Sequence, residues 1–348
     1  MTRAMRQLAS SAGCVLAVLL LATASGCGAK TTAPSSSAAA TATANVTAAP
    51  PTATATPVAA TWGSPAAMGT SNLFPNSVSC PTTTFCVAVG AAGGESTFIG
   101  SSWSSPQQIM PGSSPLKDVS CASPSFCVAV TTNATATIYD GSHWSSPITI
   151  APNRYLQSVS CVTNSFCMAV DVADDAITFD GTAWSLRSIT PDGDLKAISC
   201  ASTTFCVAID GGGNAFTYNG AKWSAPRLID DNPIGNEMSS ISCPSSSFCA
   251  AVDLAGYATT FNGITWSALT APVPTNPVTG LTAVSCASAS FCAAIDGPAG
   301  TVVMYNGTTW SLPLSIDPAM DTASVSCPST QFCVALDQNA TAMVMSEP

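Results

Sequence analysis

The sequence predicts an all-β fold, a seven-bladed β-propeller of four-stranded blades, and three observations predict it. Ser-Cys, four residues and Phe-Cys recur seven times, with successive first cysteines 41, 40, 39, 43, 43 and 41 residues apart. Each unit holds three or four short β-prone runs broken by Gly, Pro, Asn and Ser, with no helical period, and that is the size of a propeller blade. Finally, Trp62-Gly63-Ser64-Pro65 stands before the first unit, whereas the last unit ends at Pro348 without a Trp. An opening segment that completes the last blade closes a ring and removes its open edges. A linear β-solenoid is the structural rival, but it has no use for a strand supplied from the front.

Residues 1–26 read as an export signal. Arg3 and Arg6 form a basic start, an apolar run follows, and Ala24, Ser25 and Gly26 precede Cys27. The run is too short to span a bilayer. Ala-Ser-Gly-Cys resembles a bacterial lipobox, which implies cleavage after Gly26 and lipidation of Cys27; ordinary secretion is the alternative. Residues 27–60 follow as the lipidated Cys and a tether of Ala, Thr, Pro and Ser, in which Lys30 is the only charge. Such a segment cannot bury enough apolar surface to offset its ordering entropy, so it is expected to be flexible. Residues 61–348 form the propeller.

In the second unit the four strands are expected at 116–121, 126–130, 136–139 and 143–150. The two cysteines of a unit lie six residues apart across the first hairpin, where their side chains face each other. The expected disulfides are Cys80 with Cys86, Cys121 with Cys127, Cys161 with Cys167, Cys200 with Cys206, Cys243 with Cys249, Cys286 with Cys292 and Cys327 with Cys333. All cysteines of the repeats are thereby used, in a pattern unlike a redox or zinc motif, and an oxidising compartment is implied. The one tryptophan per unit reads as packing between blades.

Five units carry an aromatic residue, Asp or Asn, Gly, two residues and Trp-Ser, as in Tyr139-Asp140-Gly141 to Trp144 and Phe179-Asp180-Gly181 to Trp184. This resembles a shortened Asp box of sialidase-type and related secreted or lipid-anchored bacterial propellers, one residue short between the acidic position and Gly. The resemblance implies a structural turn between the third and fourth strands, on the face opposite an active site, and carries no catalytic set with it. Sialidase chemistry needs an arginine cluster with a Tyr and a Glu. Arg154, Arg187 and Arg227 stand 10, 3 and 4 residues after their Trp and so are expected at non-equivalent positions, and nothing in the spacing joins Tyr155 to Glu237.

The chain carries a net charge of −10, and −12 once Arg3 and Arg6 are removed, with only 9 basic residues. Nucleic-acid binding is excluded on that ground. Asp171, Asp210, Asp253, Asp296 and Asp337 follow the second strand in five units, and Asp230, Asp231 and Glu237 fall in a long loop on the same face. Two readings of the five-member set are open. Each Asp caps its own turn, or the set forms a partial carboxylate ring at the channel mouth for Ca²⁺ or a cationic partner. No catalytic residue and no resident metal are assigned. The long loops at 230–240 and 272–281 are the places to look for a docking surface.

The resulting expectation is a lipid-anchored, extracytoplasmic monomer that binds an envelope protein, peptide or glycan and meets the membrane only through its anchor. A glycan-processing hydrolase or lyase using the loop carboxylates is the first alternative. A purely structural envelope protein is the second.

Overall fold

The computed structural model describes residues 61–69, 73–189, 194–232, 237–272, 280–316 and 321–346. The signal segment, Cys27 and the tether lie outside these residues, as do the centres of both long loops. Seven antiparallel sheets follow one another as seven blades, each running from an innermost strand outward. The innermost strands are Pro75–Thr82, Leu116–Ser123, Leu156–Thr163, Leu195–Ser202, Met238–Ser245, Leu281–Ser288 and Thr322–Ser329, each beside the innermost strands of both neighbouring blades. The last blade is completed from the front of the chain. Thr61–Trp62 and Ala66–Ala67 pair with Thr341–Ser346, placing Trp62 opposite Met345, itself opposite Cys333. The ring is therefore closed by the opening segment, not stacked along a line.

Second strands such as Phe126–Thr131 are buried along their whole length. Because side chains alternate across a strand, each feeds the apolar layers on both sides of its blade. Val128 and Val130 join the layer shared with blade 3, while Cys127 and Ala129 join the layer shared with blade 1. Seven such apolar layers lie among the described residues, one at each blade boundary. Each Trp packs back across the boundary with the preceding blade, and Trp62 does so between blades 6 and 7. Stacked aromatics cross these boundaries too, as in Phe126 on Phe179 at 6.4 Å and Phe248 on Tyr305 at 5.9 Å.

All seven expected disulfides are formed, with Cα–Cα distances of 3.9 to 4.1 Å across the first hairpin of each blade. The serine before each first cysteine has a separate task. An innermost strand presents backbone N–H groups at a sheet edge, and a buried donor without a partner is costly. The Ser79 hydroxyl accepts the Cys121 N–H at 2.9 Å, and Ser120, Ser160, Ser199, Ser242 and Ser285 accept the next cysteine N–H at 2.8 to 3.0 Å. Ser326 accepts from Cys80 at 2.9 Å, which completes the circle.

The outermost strands depart from expectation. In blade 2 the expected continuous run is split into a bridge at Trp144 and the strand Ile148–Thr149. The cause is a count of residues between two fixed points. Trp144 pairs with Tyr139, and the Ile150 N–H is held by the Ala134 carbonyl. Ile150 stands six residues beyond Trp144, one too many for a flat strand, so the pairing slips by one between Trp144 and Ile148. The same slip occurs in blades 1, 4, 5, 6 and 7. The serine of Trp-Ser repairs the ladder there: the hydroxyls of Ser104, Ser145, Ser224, Ser267 and Ser311 each accept a third-strand N–H at 3.0 Å. Blade 3 differs. Ile189 is held in the same manner by Asp174 but stands five residues beyond Trp184, and Trp184–Ser188 pairs along its whole length without a slip.

Replacing a ring serine, Ser120→Ala, leaves the Cys161 N–H without its acceptor and is expected to cost about 1 kcal/mol. The exposed Ser146→Ala should stay within about 0.5 kcal/mol of the parent. Urea unfolding monitored by Trp fluorescence measures both, and equal effects would remove the ring from the account of stability.

Candidate functional site

The face that carries the turns between second and third strands is built on the five-member Asp set. All five are buried, at 0 to 3 % exposure. Each turns Oδ1 onto its own turn: Asp171 accepts the Ala173 and Asp175 N–H groups, Asp210 that of Asn214, Asp253 that of Tyr257, Asp296 that of Ala299, and Asp337 those of Asn339 and Thr341. Thr131 does the same work in blade 2 through its hydroxyl. Blade 1 has Gly90 there because a Cβ would come within 1.8 Å of the Leu73 carbonyl oxygen. The geometry of the set is thus that of turn caps. Among the described residues no group of three or more His, Cys, Asp or Glu is gathered closely enough to hold a metal ion.

Two ion-paired clusters stand beside these caps. Arg154 Nη2 lies 2.5 Å from Asp175 Oδ2, and its Nε lies 3.8 Å from Asp171 Oδ2. Burial raises the Asp171 carboxyl above its usual range, opposed by backbone hydrogen bonds, with the Asp175 charge raising it further and Arg154 lowering it. Lys196 Nζ bridges Asp194 at 2.7 Å and Glu237 at 3.2 Å, joining blade 4 to blade 5. Glu237 is therefore a clamp for a lysine, and Tyr155 stands exposed beside Arg154 in the chain. Asp231 is exposed and lines a groove of about 300 Å³ with Arg227 and Trp266.

Asp230 and Asp253 form the most unusual contact on this face. At the end of the outermost strand, blades 1 and 2 place buried Met110 and Ala151; blade 4 places Asp230, with 0 % exposure. Its carboxyl acts on that of Asp253, which also has 0 % exposure. Oδ1 of Asp230 accepts the Asn232 N–H at 2.9 Å, and Oδ1 of Asp253 accepts that of Tyr257 at 2.6 Å. Each Oδ2 is buried without a hydrogen-bond donor, so two charges side by side are costly and a proton on one of the carboxyls relieves them. Burial first, and the Asp230 charge after the opposing Tyr257 bond, push Asp253 up to about 6.

Two acidic groups escaped the sequence reading. Asp118 sits in an innermost strand where other blades have Ser77, Ser158, Ser240 and Ser324. Its carboxylate accepts the Ser77 hydroxyl at 2.6 Å and the Val159 N–H at 2.8 Å, tying blades 1, 2 and 3 together. Burial raises its pKa against those bonds. Glu95 is buried in blade 1, raised by that burial and held by the Thr97 hydroxyl at 2.8 Å. Only alignment of the units position by position would have exposed Asp118, as the one charge in a column of Ser and Ala.

The opposite face carries the Asp/Asn-Gly turns. Oδ1 of Asp140 accepts the Ser142 and His143 N–H groups, and Asp180, Asn219, Asn262 and Asn306 repeat the arrangement. Those bonds hold Asp140 below the usual carboxylate range and Asp180 at about 2. Gly141, at φ +96°, faces Ser125 of the first hairpin, which a Cβ would meet at 3.0 Å. One expectation is overturned outright: Arg187 and Arg227 are equivalent positions. Arg187 lies opposite Ala176 and Arg227 opposite Ala215, because the slip in blade 4 absorbs the extra residue counted from the Trp.

A native carboxyl raised above its unfolded value binds protons more tightly when folded, so it lends stability at low pH that is lost as pH rises through the folded pKa. For Asp253 that window runs from about 4 to 6. Asp253→Asn keeps the acceptor for Tyr257 and supplies a permanent donor to Asp230. It is expected to raise Tm at pH 7.5, with the gain shrinking as pH falls to 4.5. A gain of the same size at both values, in scanning calorimetry, would remove the shared proton from the account.

No protein-family model and no curated protein sequence matches the chain. Among solved structures it is similar to YCF48 bound to D1 peptide, at 14% sequence identity, over 82% of this chain and 97% of that one, with a TM-score of 0.66. At that identity the likeness is one of fold: the chain is a seven-bladed β-propeller.

Proposed function

We propose that this propeller is an extracytoplasmic binding module for a peptide or protein segment. The observation that carries the reading is the fold it shares with a propeller whose structure holds a bound peptide. The seven disulfides point to an oxidising compartment outside the cytoplasm. The state of the acidic residues adds support. Most of those that a glycan-processing mechanism would recruit are already engaged, the five caps by their turns, Glu237 by Lys196 and Asp230 by burial beside Asp253, which leaves Asp231 exposed without a second free carboxylate of that set. A ring whose acidic residues are largely spent internally serves recognition better than proton transfer, which needs a group free to change partners. Anchoring through a lipid on Cys27, with residues 28–60 as spacer, completes the proposal.

Two experiments test it. The full chain, probed on an array of overlapping peptides from envelope proteins, should retain linear segments with Kd of about 1 to 100 μM; retention of glycans alone would sink the reading. Metabolic labelling with an alkynyl fatty acid should mark the wild-type chain and not Cys27→Ala. Equal labelling of the two removes the anchor.

A further inference from the structure

We propose that the outermost strand of blade 3, Trp184–Ser188, is the docking site for an extended peptide that adds to the sheet as a further strand, with an acidic residue opposite Arg187. This rests on the peptide-binding reading above and gives it a place and a mode.

An outermost strand turns alternate N–H and C=O groups away from its sheet, and these attract any extended chain unless the edge is spoiled. Among the described residues, six blades spoil theirs with the one-residue slip. Five add a proline, at Pro65, Pro106, Pro147, Pro226 and Pro313, and blade 5 is reduced to two isolated bridges on its outer side. Blade 3 has neither device. Its outer strand is regular over five residues, with Ser185 to Ser188 all exposed. The Ala183 carbonyl and the Ile189 N–H both bond inward. By alternation Leu186 and Ser188 turn their backbone groups outward.

Charge and size select the occupant. Arg187 is exposed and has no ion pair among the described residues, in a chain of net charge −10. It is a positive group on an acidic protein that no described carboxylate pairs, and Arg227 holds the equivalent position in the next blade. A complementary strand therefore carries a carboxylate. Five residues offer an edge only about 17 Å long. That suits a short peptide, whereas a stable pair of globular subunits buries about 1,200 Å² or more. A second copy of this chain is accordingly the weaker occupant. The mode is strand addition, in which backbone hydrogen bonds supply affinity and alternate side chains supply selectivity.

The test pans a random seven-residue peptide display library against the full chain. Enriched sequences should alternate apolar and acidic residues. For the synthesised best binder, N-methylation of alternate backbone amides should weaken binding at least tenfold by fluorescence anisotropy. Leu186→Pro removes an outward N–H while sparing the ladder to the third strand, a change that edge strands tolerate. It should likewise weaken binding at least tenfold with an unchanged circular dichroism spectrum and Tm. Arg187→Glu, the second variant, should switch the enriched sequences from acidic to basic. Binders that survive Leu186→Pro and N-methylation overturn the site and leave the peptide-binding reading intact. A dimer in sedimentation velocity that Leu186→Pro dissolves overturns the peptide as occupant. Failure to enrich any sequence takes down the peptide-binding reading itself.

Discussion

The structure depends on how seven inner sheet edges are satisfied. A propeller blade cannot pair its innermost strand with a partner strand, because the next blade stands beside it face to face. Here the exposed donors are taken up by a side chain, the serine that precedes each first cysteine, always from the preceding blade. Each bond is worth little alone, about 1 kcal/mol net. Their arrangement matters more than their sum. Because the seventh bond joins Ser326 to Cys80, the set is complete only when the ring is closed, and the same cysteines pin the first hairpin that presents the next serine. Closure and blade geometry thus reinforce each other.

This explains how a chain so poor in large side chains holds a single arrangement. Past the buried Leu or Met that opens five of them, the inner strands bring mostly Val, Ile, Ala and Ser, and the apolar layers gain further bulk from aromatics further out. Loop-closure entropy offers a local aid. A disulfide across a short hairpin contributes roughly 2 kcal/mol in the chain-entropy model, and seven of them confine the unfolded chain without demanding volume in the core. The opening segment then finishes the last blade. Trp62 fills at the boundary between blades 6 and 7 the place that a Trp fills at each other boundary.

The repeat period, the disulfide partners, the role of the Trp residues and the closing strand were all legible in the sequence, since each is written in residue types at fixed spacing within one unit. What escaped notice is written between units. The ring serine was visible seven times beside its cysteine, yet its partner lies about forty residues away. Asp118 was hidden because its meaning lies in a column of Ser and Ala, and Asp230 because an acidic residue in a loop gives no hint that the fold will bury it against Asp253. The equivalence of Arg187 and Arg227 was misread for a related reason. Counting from the Trp assumes equal spacing along the strand, and a slip of one residue in blade 4 breaks that assumption while leaving the pairing partners aligned.

The same count shows why departures in a repeat protein repay attention. When every unit solves one physical problem, a unit that solves it differently has been released from a constraint or subjected to another. Blade 3 has the shortest spacing to its successor, 39 residues, and spends one fewer between Trp184 and its anchor at Ile189. That single deletion straightens a strand that the other blades bend, and it leaves Leu186 and Arg187 on an open edge where a slip, and in five blades a proline, stands elsewhere. The packing does not call for the change, since the apolar layers on both sides of blade 3 contain the same classes of residue as the rest. The acidic pair in blades 4 and 5 is a departure of the opposite kind. It buries a charge where Met110 or Ala151 would do, and so makes stability depend on a proton. An exposed edge alters what the ring can meet, whereas a buried pair alters only when the ring is most stable, so recognition falls to the edge.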